Sequence, residues 1–226
     1  MKRLTAVILA VMCMVGTICS VSAAEAQVDT SNENIMEDFL TPFFEGDRES
    51  YSIYDVGGND IVNMFYEKTY GLYKAGDWDG IKQVYKAMNV DGISRTRVIE
   101  TPAVLTRASD LSKTVLDGHY ELMEDHGGSG RNIEVGTELR GTFHYDANTY
   151  VITGVSKPVL TYCAISYASP DVSHTDPILN GTKSGSYGAK FTCKFDVTDV
   201  IIYEGVPMII YKYGTYEHSF TAKSTD

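Results

Sequence analysis

"ELRGTFHYDANTYVITGV", residues 138–155, decides the fold class. Leu139, Gly141, Phe143 and Tyr145 alternate with Glu138, Arg140, Thr142, His144 and Asp146. A period of two lays one apolar and one polar face along an extended strand. "DANT" turns the chain, with Asn148 suited to a left-handed position, and "YVITGV" returns, so a hairpin is expected.

The same period continues toward the C-terminus. In "FTCKFDV" Phe191, Cys193, Phe195 and Val197 share a face, and in "VLTYCAISY" Val159, Cys163, Ile165 and Tyr167 do. "DVIIYEGVPMIIYKY", residues 199–213, reads as a second hairpin around Glu204-Gly205. Its runs are apolar on both faces, which predicts cover on both sides.

Toward the N-terminus the period becomes helical. Ile35, Met36, Phe39, Leu40, Phe43 and Phe44 form one stripe, which Pro42 is expected to break or kink near Leu40. After a loop at "EGDRESYSIYDVGG", a second helix is expected with Asn59 or Asp60 as its cap and Gly76 as its end. Asp77 or Asp79 opens a third, with Trp78, Ile81, Val84, Tyr85 and Met88 on one face. The fold expected is therefore α+β. A short N-terminal helical segment, residues 27–92, packs on a C-terminal antiparallel β-sheet or sandwich, residues 95–226. Long loops are expected at 107–118, 124–132 and 169–188.

The first residues carry a targeting pattern. Lys2 and Arg3 precede the uncharged, largely apolar run of residues 4–21, and small residues in "SAAEAQ" follow. This is the pattern of a secretory signal peptide, residues 1–26, with cleavage after Ala23 or Ala26. The expectation is a secreted or surface-associated protein with no stable membrane insertion after cleavage. The full chain carries a net charge of -11, and losing Lys2, Arg3 and Glu25 makes the remainder one unit more acidic. Such a surface repels nucleic acid, and no basic stripe offsets it. Of four cysteines, Cys13 and Cys19 lie in the signal. Cys163 and Cys193 remain, and in an exported chain one pair is expected to form one disulfide.

Candidate chemistry is sparse. "HGGSG", residues 126–130, has the glycines of an oxyanion loop, but no G-x-S-x-G elbow accompanies it and no helix follows to complete a phosphate cradle. It reads as a turn. His119, Glu121, Glu124, Asp125 and His126 hold atoms suited to acid–base chemistry, but a spacing of seven positions from one histidine to the other matches no metal motif. "GDWDG", residues 76–80, lacks the further ligands of a calcium loop and is explained by helix capping. No cofactor and no metal ligand set is expected.

Sixteen tyrosines remain as the abundant functional residue type. Those outside the core pattern, Tyr51, Tyr54, Tyr66, Tyr120, Tyr162 and Tyr187, are the expected ligand-binding positions, since an aromatic ring with a polar tip suits sugar and protein partners. The reading is a secreted, non-enzymatic binding protein for a surface glycan or protein. A hydrolase built on the acidic group at 119–126, and a secreted toxin or signalling factor, are the alternatives.

Overall fold

The structure, a computed structural model, describes residues 28–29, 34–99, 110–124, 132–166, 172–204 and 206–225. The expected signal peptide, residues 1–26, and the "HGGSG" stretch, residues 126–130, lie outside them.

The protein is α+β. In chain order it runs β1 (Val28–Asp29), α1 (Ile35–Glu45), a 3-10 turn (Arg48–Ser50), β2 (Tyr51–Asp55), α2 (Val62–Ala75), α3 (Trp78–Ala87) and β3 (Val90–Ile99). Then follow β4 (Asp110–Glu124), β5 (Asn132–Asp146), β6 (Ile152–Val155), β7 (Val159–Ser166), β8 (Val172–His174), β9 (Ile178–Ser184), β10 (Gly188–Tyr203) and β11 (Val206–Lys223). One sheet has the order β1-β7-β5-β4-β3-β2, with β6 also on β5; the other has β11-β10-β8, with β9 also on β10. All pairings are antiparallel except β1 on β7, where Val28 and Asp29 lie beside Cys163 and Ala164.

Alternation along β4 and β5 builds two cores, one on each face of the larger sheet. Val115, Ile133, Val135, Leu139 and Phe143 meet Phe191, Phe195 and Tyr216 of the smaller sheet. On the other face Tyr120, Leu122, Ile93 and Ala164 meet the helical stripes, led by Met36, Leu40, Phe43, Phe65 and Ile81. The chain thus stacks helices, large sheet and small sheet in three layers.

Local signals explain the helix ends. Asp77 caps α3 by accepting a 2.8 Å hydrogen bond from the Gly80 N–H. Gly76 ends α2 at φ 69, a left-handed position. Pro42, however, does not break α1, which runs through it to Glu45. Burial of Phe43 and Phe44 beyond the proline outweighs the lost backbone hydrogen bond.

Several expectations are corrected. Residues 51–55 form a strand, with Tyr51 and Ile53 buried, where a loop was expected. β4 begins at Asp110, so most of the expected 107–118 loop is strand; β8 and β9 likewise fill much of 169–188. In the hairpin after β5 the left-handed residue is Tyr150, not Asn148, because the Asp146 carboxylate instead gathers the Asn148 and Thr149 N–H groups. The β10–β11 hairpin does turn at Glu204, but its end is not covered: Tyr203, Val206, Met208 and Ile209 are exposed. Among the described residues, 200–203 and 206–209 pair only with each other, and the helices cover the other sheet instead.

The expected disulfide is absent. Cys163 on β7 and Cys193 on β10 are free, fully buried thiols within the core between the sheets. Alternation along the strands fixes the inward direction of both side chains but not the sulfur–sulfur approach that a bridge needs. Burial, then the neighbouring Cys193, push the Cys163 thiol up to about 12, and burial does the same for Cys193.

Candidate functional site

The register of the large sheet places four residues in one transverse row. Arg95 of β3 lies opposite Gly118 of β4, Gly118 opposite Glu138 of β5, and Glu138 opposite Tyr162 of β7. With strands about 4.8 Å apart the row spans about 14 Å. All four face the helical layer, because Ile93, two residues before Arg95, is in the helix-side core. Gly118 leaves a gap in the middle of the row. A Cβ there would stand 3.0 Å from the Phe39 ring of α1, which roofs the gap. The result is a cleft of about 360 Å³ between α1 and the sheet, to which α1 also contributes Ile35 and Asp38, and β3 also Arg97. That volume lies at the lower end of the ~300–1,000 Å³ typical of small-molecule sites.

Both arginines of the cleft are paired with carboxylates. Arg95 donates to Asp47 Oδ2 through Nε at 3.0 Å and Nη2 at 2.5 Å. This holds the Asp47 carboxyl below its ordinary range. Arg97 donates through Nη2 to Glu138 Oε2, and Glu138 Oε1 accepts from the Thr161 hydroxyl at 2.8 Å. Both guanidiniums are thereby fixed in orientation, and each retains N–H groups beyond those bonds. At the open end the Tyr162 ring is 38% exposed and lies over Gly136.

The opposite face of the same zone carries a polar network. Ser94, His119, Thr137 and Cys163 form the adjacent transverse row, facing the small sheet. Ser94 Oγ lies 3.0 Å from His119 Nδ1. His218 of β11 reaches Asp117 Oδ2 with Nε2 at 2.9 Å and the Thr137 hydroxyl with Nδ1 at 2.9 Å. Tyr216 OH is 2.7 Å from the Thr137 hydroxyl and donates to the His119 carbonyl at 3.2 Å. The atoms resemble an Asp–His–hydroxyl triad, but Asp117, Thr137 and His218 are buried to 1% exposure or less. No substrate reaches that hydroxyl. Burial and then His218 push the His119 imidazole down to about 3, too weak a base to activate Ser94 near neutral pH. The network joins the two sheets and satisfies buried polar groups.

The sequence-derived site residues scatter. Of the six tyrosines, Tyr51 and Tyr120 are core residues, the former donating to the Phe39 carbonyl and the latter to Glu134. Tyr66 is half-buried in an aromatic stack with Tyr70, under the Arg48 guanidinium at 3.9 Å. Tyr54 and Tyr187 are exposed, on β2 and in the β9–β10 turn. Tyr162 alone of the six lines the cleft. Of the acidic group, His119 and Glu121 share a face of β4, Glu124 ends that strand, and Asp125 and His126 lie outside the described residues. Burial and then Asp91 push Glu121 up to about 7. Among the described residues no group of three or more metal-ligating side chains forms, and no helix is long and apolar enough to cross a membrane.

Arg95, Arg97, Glu138 and Phe39 were not picked out from the sequence. The spacing of Arg95 and Arg97, two basic residues on one strand face, was the available signal. Comparison with protein families, with curated proteins and with solved structures finds no match to this chain.

Proposed function

We propose that this is an exported, non-enzymatic binding protein whose ligand occupies the cleft under α1. The observation that supports it is the transverse row Arg95–Gly118–Glu138–Tyr162, open at its centre and roofed by Phe39. Rigid strands hold the polar groups, paired charges fix their orientation, and an exposed aromatic ring marks the entrance. A surface glycan or protein segment is the ligand class. The test is retention of the purified protein on immobilised polysaccharide and protein matrices at about 0.15 M salt. Tyr162→Ala and Arg97→Ala should lose retention, while Tyr54→Ala and Tyr187→Ala should keep it. Equal retention by all four variants overturns the assignment of the cleft.

A carboxylate-based hydrolase is the second reading, supported by Glu121. Its carboxyl is shifted to about 7 with Asp91 nearby, a range suited to a general acid. Hydrolysis of glycoside or ester substrates that Glu121→Gln abolishes would favour this reading over binding.

A further inference from the structure

We propose that the cleft, if it is the binding site argued above, selects a neutral sugar ring and reads a pair of adjacent hydroxyls on it. The charge arrangement is the starting point. The lining holds two cations, Arg95 and Arg97, and two carboxylates, Asp38 and Glu138. Asp47 adds a third carboxylate behind Arg95. An anionic ligand would compete with the carboxylates that both guanidiniums already bond and would share the cleft with Asp38 and Glu138. A cationic ligand would meet the guanidiniums. A ligand without net charge escapes both costs.

The remaining groups define what that neutral ligand must present. A hydroxyl both donates and accepts, so one hydroxyl bridges a guanidinium N–H and a carboxylate oxygen of the same ion pair without separating them. The Arg97–Glu138 pair offers this combination within the cleft, and Asp38 stands on the facing helix as a further acceptor. Adjacent hydroxyls on a ring would engage both sides at once. The Tyr162 ring at the entrance, with Phe39 above the gap, suits the C–H face of a sugar, which stacks on aromatic rings. An aliphatic side chain would satisfy the rings but leave the ion pair's donor and acceptor unbridged.

The experiment measures binding of methyl glucoside, methyl galactoside and methyl mannoside to the purified protein by saturation-transfer NMR and titration calorimetry, with glucuronate, glucosamine and acetate alongside. At least one neutral glycoside should bind, with glucuronate and glucosamine weaker by about tenfold or more. Arg97→Gln should weaken the neutral glycoside by about tenfold, and Tyr162→Ala should abolish its signal without changing the thermal midpoint. Glucuronate, glucosamine or acetate binding as tightly as the neutral glycosides overturns the proposal. So does the absence of any glycoside binding. In that case the matrix test separates the two ideas: if Tyr162→Ala still lowers retention, the cleft binds another class of ligand, and if it does not, the cleft itself is wrong.

Discussion

Glu134 shows how much one polar residue can organise. Its carboxylate takes Lys82 Nζ of α3 at 2.5 Å, the Met36 N–H of α1 at 3.1 Å and the Tyr120 hydroxyl at 3.2 Å. Two helices and two strands meet on one carboxylate that is 7% exposed. Glu134→Ala leaves three donors without that acceptor and should cost about 3 kcal/mol, read as a lowered urea midpoint with an unchanged slope. His119 and Glu121 give opposite pH responses. Folded His119 titrates near 3 against an ordinary 6.5, so the unfolded chain takes the proton first and stability falls as pH drops between them. Folded Glu121 titrates near 7 against an ordinary 4.5, so stability rises as pH drops through that interval. The two oppose each other from 6.5 to 4.5, and below 4.5 the loss due to His119 continues. In His119→Gln the urea midpoint should therefore rise between pH 6.5 and 4.5 as pH falls, where the parent is nearly flat. Parallel profiles for the two proteins would show that the imidazole is not desolvated. None of this was legible in the sequence. Glu134 and His119 look like ordinary polar positions of alternating strands, and only the layers above and below make them interior.

Elements were more legible than their surroundings. The stripe of α1, the Asp77 cap, the end of α2 at Gly76 and the turn at Glu204 all follow from local chemistry, and local chemistry survives folding. The β10–β11 hairpin was misplaced because a strand apolar on both faces reads the same whether it is central or projecting. A contrast of two substitutions checks the difference. Leu40→Ala in α1, at 0% exposure, should cost about 3 kcal/mol through the cavity it leaves. Ile209→Ala near the hairpin end, at 59% exposure, should cost less than about 0.5 kcal/mol. Both are read from chemical denaturation. A large effect at Ile209 would mean that the ribbon end is packed in solution.

For the whole molecule, the class was readable and the site was not. Two periods in one chain imply helices on a sheet, but a period tells which face a residue takes and nothing about which strand lies beside it. The row from Arg95 to Tyr162 joins residues 67 positions apart through pairings that no local pattern encodes. The same limit explains the cysteines: inward direction was legible, whether the two sulfurs bond was not. Two free thiols predict that a chain beginning at Gln27 shows no reaction with a thiol reagent when native and two reacting groups in denaturant. No reaction in denaturant would show a bridge. The raised thiol values, about 12 for both, reinforce the native silence, since the thiolate is the reactive form.

The parallel pairing of β1 with β7 bears on how the protein is handled. Val28 and Asp29 lie beside Cys163 and Ala164, next along the strand from Tyr162 at the mouth of the cleft. Ser224, by contrast, is fastened to the Tyr150 and Tyr187 carbonyls, beyond the Asp146 end of β5. Glu138 and Asp146 are separated by about 26 Å at 3.3 Å per residue. A purification tag or fluorophore joined directly before Val28 would crowd the opening. One attached at Thr225 would hold the protein to a surface with the opening turned away from it.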